Sequence, residues 1–263
     1  MTEKKKLFIG YCWGAAGSSW LARLLNSHED IFSLHAPIFP RFDSRSRKYE
    51  DVVEVIDAVL NTKALGGTYP VVGFTHAIQI HWHAELSERY RDQLRGFVLI
   101  RHPISRIQSN FALHKKANPR RISDKFWKKP FKSTYKELTR QVGNHFPDDF
   151  DSLGFYWSCS LVSSIVSEYR WNLPIYKLED LVSQKEIVNK LAAYISDGTC
   201  QFSDDVIARV QHKVVNAHAQ EKCSIAEIYG AWSEPHKEAY HYLVKPEAFQ
   251  IYKELGYEFP HPV

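Results

Sequence analysis

Two short stretches of this chain carry residue types suited to gripping an anion. The first is Gly14-Ala15-Ala16-Gly17-Ser18-Ser19, which follows the apolar run at residues 7–12. A tight turn of small residues between a strand and a helix leaves backbone N–H groups aimed at one spot, and the helix dipole adds partial positive charge there. The Ser18 and Ser19 hydroxyls add donors, so the turn could hold a phosphate. It is not a Walker A loop, because Gly-Lys-Ser/Thr is absent. Capping of a helix by Ser18 or Ser19 is the other reading of the same residues. The second stretch ends the apolar run at residues 96–100 with Arg101, and Ser109 follows eight residues later. A fixed guanidinium with a nearby hydroxyl is a second phosphate clamp, whereas Arg101 taken alone reads as an ion-pair partner. Together the two stretches point to a ligand with two separated phosphates.

The surrounding pattern supplies elements to position them. Residues 7–12 read as a buried strand, followed by a helix with Trp20, Leu21, Leu24 and Leu25 on one face. Short strands are expected at 31–34, 71–75, 96–100 and 173–178. Helices are expected at 51–60, 85–94, 104–113, 150–169, 182–195, 203–214 and 246–255, the third of them starting just after Pro103. Strands alternating with helices predict an α/β fold, a three-layer sandwich around a mostly parallel sheet of about five strands, P-loop NTPase-like in its first strand, turn and helix. One domain over residues 1–263 is expected, with no repeat and no low-complexity linker.

Composition excludes several classes. A net charge of +4 suits an anionic ligand but is too small to argue for nucleic acid. Cys12, Cys159, Cys200 and Cys223 form no CxxC pair, which argues against a zinc knuckle and fits a reducing compartment. The run at residues 7–13 is too short for a signal peptide or a bilayer span, and no Asn-x-Ser/Thr occurs, so a cytoplasmic protein with no membrane partner is expected. Residues 115–136 differ from the rest: nine Lys or Arg stand against Asp124, with Phe126, Trp127, Phe131 and Tyr135 between them. A solvated insertion, a lid, or contacts to an acidic acceptor all fit that segment.

In order along the chain, these segments resemble the sulfotransferases that use 3'-phosphoadenosine 5'-phosphosulfate (PAPS). Residues 12–21 resemble that family's Tyr-Pro-Lys-Ser-Gly-Thr-Thr-Trp-Leu loop, and Val98-Leu99-Ile100-Arg101-His102-Pro103 with Ser109 resembles its 3'-phosphate motif. Tyr176-Lys177-Leu178-Glu179-Asp180-Leu181, Trp232 and Leu255-Gly256-Tyr257 resemble its later landmarks. The resemblance implies that Ala15, Ala16, Gly17, Ser18 and Ser19 hold the 5'-phosphosulfate, Trp20 lies near the adenine, Arg101 and Ser109 hold the 3'-phosphate, and Trp232 helps cover the nucleotide. It implies PAPS as co-substrate, 3',5'-adenosine bisphosphate as product, no metal, and a small-molecule or glycan acceptor; a homodimer is compatible with it. Ala15 departs from the family's loop Lys or Arg. Loss of such a charged donor commonly costs ~10²–10³ in rate, and Arg41 or residues 115–136 could replace it.

Transfer to a hydroxyl also needs a proton acceptor. His76, ending Phe74-Thr75-His76 at 25 residues before Arg101, is similar to the family's Lys-Thr-His base and is the expected catalytic residue. His35 and His81 are expected to line the acceptor site. His81-Trp82-His83 could be half a metal site, but no further ligand stands at a useful spacing, and a non-metal role is favoured. Two rival functions remain at this point: a kinase-like phosphotransferase, and a nucleotide-binding protein without transfer activity.

Overall fold

The computed structural model describes residues 5–12, 14–35, 49–62, 67–76, 78–116, 140, 150–211 and 223–261. Arg41 and the basic segment from residue 117 onward lie outside the described residues, as does the end of the helix expected at 203–214. The described chain divides into two compact units, Met1–Arg101 with Leu173–Asn216 and His102–Asn172 with Ala217–Val263. The chain leaves the first unit after Arg101 and returns to it at Leu173.

The first unit is built on five strands: β1 (Lys6–Tyr11), β2 (Ile31–His35), β3 (Val71–Thr75), β4 (Leu94–Ile100) and β5 (Ile175–Lys177). Their order is β2-β3-β1-β4-β5 and every neighbouring pair is parallel. This is the α/β architecture the alternating pattern predicts. The strands are apolar on both faces because helices cover both. On one face α1 (Ser18–Leu25), α8 (Lys185–Ser196) and α9 (Asp204–Gln211) pack over Phe8, Val71, Phe97 and Tyr176. On the other, α2 (Tyr49–Asn61) lies on β3 and α3 (His83–Tyr90) on β4. The last helix of this unit to be named, α7 (Leu178–Ser183), follows β5 directly.

Central β1 needs close neighbours, and glycine provides them. Gly73 of β3 pairs with Phe8 of β1, and a Cβ there would sit 2.2 Å from the Phe8 carbonyl oxygen. Backbone cannot yield at that distance without breaking the ladder.

Several boundaries differ from expectation for local reasons. The helix expected to reach residue 94 stops at Tyr90, because Arg91 turns to φ 41 and Leu94 is drawn into β4 opposite Leu7. The helix expected at 182–195 is two helices, α7 and α8, separated by extended Gln184. The long helix expected at 150–169 is likewise two, α5 (Phe150–Val162) and α6 (Ile165–Tyr169). The break falls at Ser163, whose hydroxyl accepts the Lys245 N–H at 3.0 Å.

Unit two is helical: α4 (Pro103–Lys116), α5, α6, α10 (Ile225–Gly230), α11 (Glu234–Leu243) and α12 (Pro246–Glu254). Helix α4 packs on α5, and Phe111, Phe155, Trp232, His236 and Tyr240 interlock as aromatic rings. Arg106 and Glu168 are both almost fully buried. Burial raises the Glu168 carboxyl pKa, while the Arg106 charge and the Ser164 hydroxyl pull it down. No helix among the described residues is long and apolar enough to cross a membrane.

Replacing Gly73 by Ala should destabilise the protein by about 1–3 kcal/mol through overpacking against β1. A urea midpoint equal to that of the parent would refute the Phe8–Gly73 register.

Candidate functional site

In an all-parallel sheet every carboxyl end lies on one edge. Here the chain passes from β1 through α1 to β2 on one side, whereas β4 lies on the other side of β1. A crevice opens outside the carboxyl ends at such a switch point, which is where open α/β sheets bind ligands. The small-residue turn leaves β1 there, and Arg101 leaves β4 there.

Gly17 is the residue that starts α1, at φ 92 and ψ 13, a left-handed conformation natural to glycine. The Leu178 side chain packs so close that a Cβ on Gly17 would lie 2.5 Å from it. Ala16 is fully buried, and Ala15 also has a positive φ of 63. For a residue with a Cβ that geometry costs about 1–2 kcal/mol and persists only where the surroundings hold it.

Ser18 and Ser19 occupy the first two helical positions, so neither caps α1, and no side chain does. The capping role is therefore excluded; the residue at the capping position is Gly17. Instead both hydroxyls meet one imidazole nitrogen, His35 Nε2, at 2.9 Å from Ser18 Oγ and 3.1 Å from Ser19 Oγ. His35, expected in an acceptor pocket, ends β2 and ties that strand to the first turn of α1. Burial first, and the neighbouring His76 charge second, lower its pKa, which keeps it neutral at pH 7.

His76 follows β3 directly and has φ 64. Its backbone N–H donates to the Gly10 carbonyl at 3.1 Å, extending the β1–β3 ladder by one residue and fixing the turn. Its ring Nδ1 lies 2.8 Å from the Cys12 carbonyl oxygen. A carbonyl can only accept, so Nδ1 carries the proton, and in the neutral ring Nε2 then holds the basic lone pair. The His76 and His35 rings stack at 6.0 Å with planes 20° apart. The structure thus gathers Ser18, Ser19, His35 and His76 at the carboxyl ends of β1, β2 and β3. Cys12 was not singled out from sequence, yet its carbonyl sets the His76 tautomer. The only sign of it was that Cys12 is the last residue of the apolar run before the turn.

Arg101 places Nη1 3.5 Å from the Ala15 carbonyl oxygen, so its guanidinium stands beside the turn. Ser109, expected to share a phosphate with it, lies half-buried on α4 in the second unit. Trp20, expected near the adenine, and Trp232, expected to help cover the nucleotide, are both mostly buried. Trp20 is 7% exposed within the hydrophobic core, and its indole N–H reaches the Val210 carbonyl at 3.4 Å. Trp232 is 6% exposed in the second unit, where its indole N–H donates to Gln108 Oε1 at 3.0 Å. Each indole packs against apolar neighbours of its own unit, Trp20 in the core cluster over the sheet and Trp232 against Phe155 and Tyr240.

His81 and His83 do not act as a pair. His81 is exposed and lies against Trp82, with ring centroids 4.4 Å apart. His83 faces the sheet, where Tyr11 Oη lies 2.9 Å from Nδ1 and Ser87 Oγ 3.3 Å from Nε2. Its pKa is lowered by burial. No protein-family model matches the chain, and no curated protein matches it.

The histidine shifts set a sign for stability against pH. His35 and His83 in the folded state resist the protonation that the unfolded chain accepts at the ordinary value of 6.5. Their stabilising effect is complete above that value and is lost as pH falls below it, towards the folded-state pKa. His83→Gln keeps a partner for Tyr11 but cannot titrate. Urea unfolding at about pH 7.5 and about pH 5.5 should show a smaller loss for this variant than for the parent. An equal loss would remove His83 from that role.

Proposed function

We propose that this protein is a PAPS-dependent sulfotransferase that moves a sulfonate group to an acceptor hydroxyl or amine. The observation that carries the reading is the gathering of the small-residue turn, the Ser18 and Ser19 hydroxyls, the His76 imidazole and the Arg101 guanidinium at one edge of the sheet, the edge where the ordered resemblance expects them.

In this reading the turn N–H groups and the two serines hold the phosphosulfate. The acceptor O–H gives its proton to His76 Nε2 as the acceptor oxygen attacks sulfur in line. The bond from sulfur to the bridging oxygen breaks, its electron pair stays with the phosphate, and 3',5'-adenosine bisphosphate leaves. The chain's own contribution is orientation and charge stabilisation. His35 already fills the serine hydroxyls, so it either hands them to the phosphosulfate or joins them as a donor. The Arg101 guanidinium brings a cation beside the turn, where Ala15 itself brings none.

Ala15 also favours a second reading, a protein that binds the nucleotide without transferring sulfonate. Calorimetry and a transfer assay separate the two. Adenosine 3',5'-bisphosphate should bind, and Arg101→Ala should weaken it by about tenfold or more, the loss expected of a charge-assisted contact. Labelled PAPS incubated with phenols, sugars, lipids and amines should give product, and His76→Ala should lower that rate by ~10²–10⁴ with nucleotide affinity held. Binding without transfer, with transfer appearing in Ala15→Lys, would establish the second reading. Turnover of ATP with Mg²⁺ and no binding of the bisphosphate would replace both with phosphotransfer.

A further inference from the structure

We propose that His28, Asp30 and Cys200 form a binding site for a divalent transition-metal ion of the zinc class. His28 and Asp30 stand in the turn between α1 and β2, and Cys200 in the turn between α8 and α9. These turns are 170 residues apart in sequence, yet one donor atom from each residue lies within 4.8 Å of the other two. Around a tetrahedral zinc with bonds of about 2.0–2.3 Å, donors are roughly 3.3–3.8 Å apart, so a modest turning of the side chains closes the set.

Local contacts position Cys200 and His28. The Cys200 N–H donates to Ser196 Oγ at 2.9 Å, and the Cys200 side chain is buried. The edge of the His28 ring meets Phe202, with centroids 5.1 Å apart. His28 Nδ1 accepts the Asp30 N–H at 3.1 Å. Coordination through Nδ1 exchanges this hydrogen bond for a metal bond, and coordination through Nε2 requires the proton to move to Nδ1.

The donor set identifies the ion. One sulfur, one imidazole nitrogen and one carboxylate oxygen suit zinc; magnesium and calcium prefer oxygen alone. A divalent cation held between the Cys200 sulfur and the Asp30 carboxylate favours the thiolate over the thiol. Three protein donors leave one tetrahedral position for water or a small ligand.

This site is separate from the nucleotide reading. Asp30 directly precedes β2, and its carbonyl accepts the Val71 N–H at the start of β3. The metal would therefore sit at the amino-terminal edge of the sheet, opposite Ser18, His35 and His76. It would staple the α1–β2 turn to the α8–α9 turn within the first unit.

The test uses the whole chain, stripped of metal and titrated with Co²⁺ as a spectroscopic stand-in and then with Zn²⁺. A single equivalent of Co²⁺ should bind with a thiolate-to-cobalt charge-transfer band. The band should vanish in Cys200→Ser and persist in Cys223→Ser, since Cys223 is exposed and lies elsewhere. Asp30→Asn keeps the backbone and side-chain shape, so it reports on the site even if Cys200→Ser fails to fold. It should weaken Zn²⁺ binding by about tenfold or more and abolish the rise in melting temperature that Zn²⁺ gives the parent. Absence of a thiolate band, persistence of the band in Cys200→Ser, or Zn²⁺ affinity unchanged in Asp30→Asn would each overturn the assignment.

Discussion

The parallel pairing of β1 with β3 on one side and β4 on the other is the constraint on which the first unit depends. It requires two backbones to approach closely where Phe8 meets Gly73, and it brings the carboxyl ends of all five strands to one edge. Because the order reverses across β1, the turn after β1 and the side chain after β4 emerge side by side. The 3.5 Å approach of Arg101 to the Ala15 carbonyl is a consequence of that pairing, not of any local preference of either segment.

The polar groups at this edge form one connected set. His76 donates its ring N–H to the Cys12 carbonyl, His35 Nε2 lies in hydrogen-bond contact with the Ser18 and Ser19 hydroxyls, and the two rings stack. Each link fixes the geometry of the next. The Cys12 carbonyl determines which nitrogen of His76 is basic, and His35 holds the first turn of α1 against the end of β2. Positive φ at Ala15, Gly17 and His76 concentrates unusual backbone at the same place. Such conformations persist where surrounding contacts over-determine them, and they cluster at ligand sites.

The opposite edge is organised by different chemistry. Asp197 accepts from Arg95 at 2.7 Å and from Lys6, linking the start of β1 and of β4 to the residue that ends α8. His28, Asp30 and Cys200 converge at the same end of the sheet. Ion pairs of Asp197 with Lys6 and Arg95 thus tie the lower edge, while the edge above carries the serine hydroxyls, two imidazoles and the Arg101 guanidinium.

The sequence by itself determined the strands, the sheet's parallel character and the small-residue turn, because apolar runs buried on both faces and a strand-to-helix turn are local patterns. It also placed Arg101 and His76 at strand ends, since each directly follows such a run. Tertiary structure alone decided the rest. Ser18 and Ser19 read equally well as capping residues or as ligands, and the structure excludes the capping reading because both stand inside α1 with Gly17 at the capping position. Trp20 and Trp232 are placed near a nucleotide by the resemblance alone, and the structure shows each of them mostly buried within its own unit. His83 looked like half of a pair with His81, yet a turn of helix sends the two side chains in different directions. The His28, Asp30 and Cys200 group has no sequence spacing at all. Its members are brought together only because α8 folds back over the start of the sheet, and no local pattern encodes a contact between positions 170 residues apart.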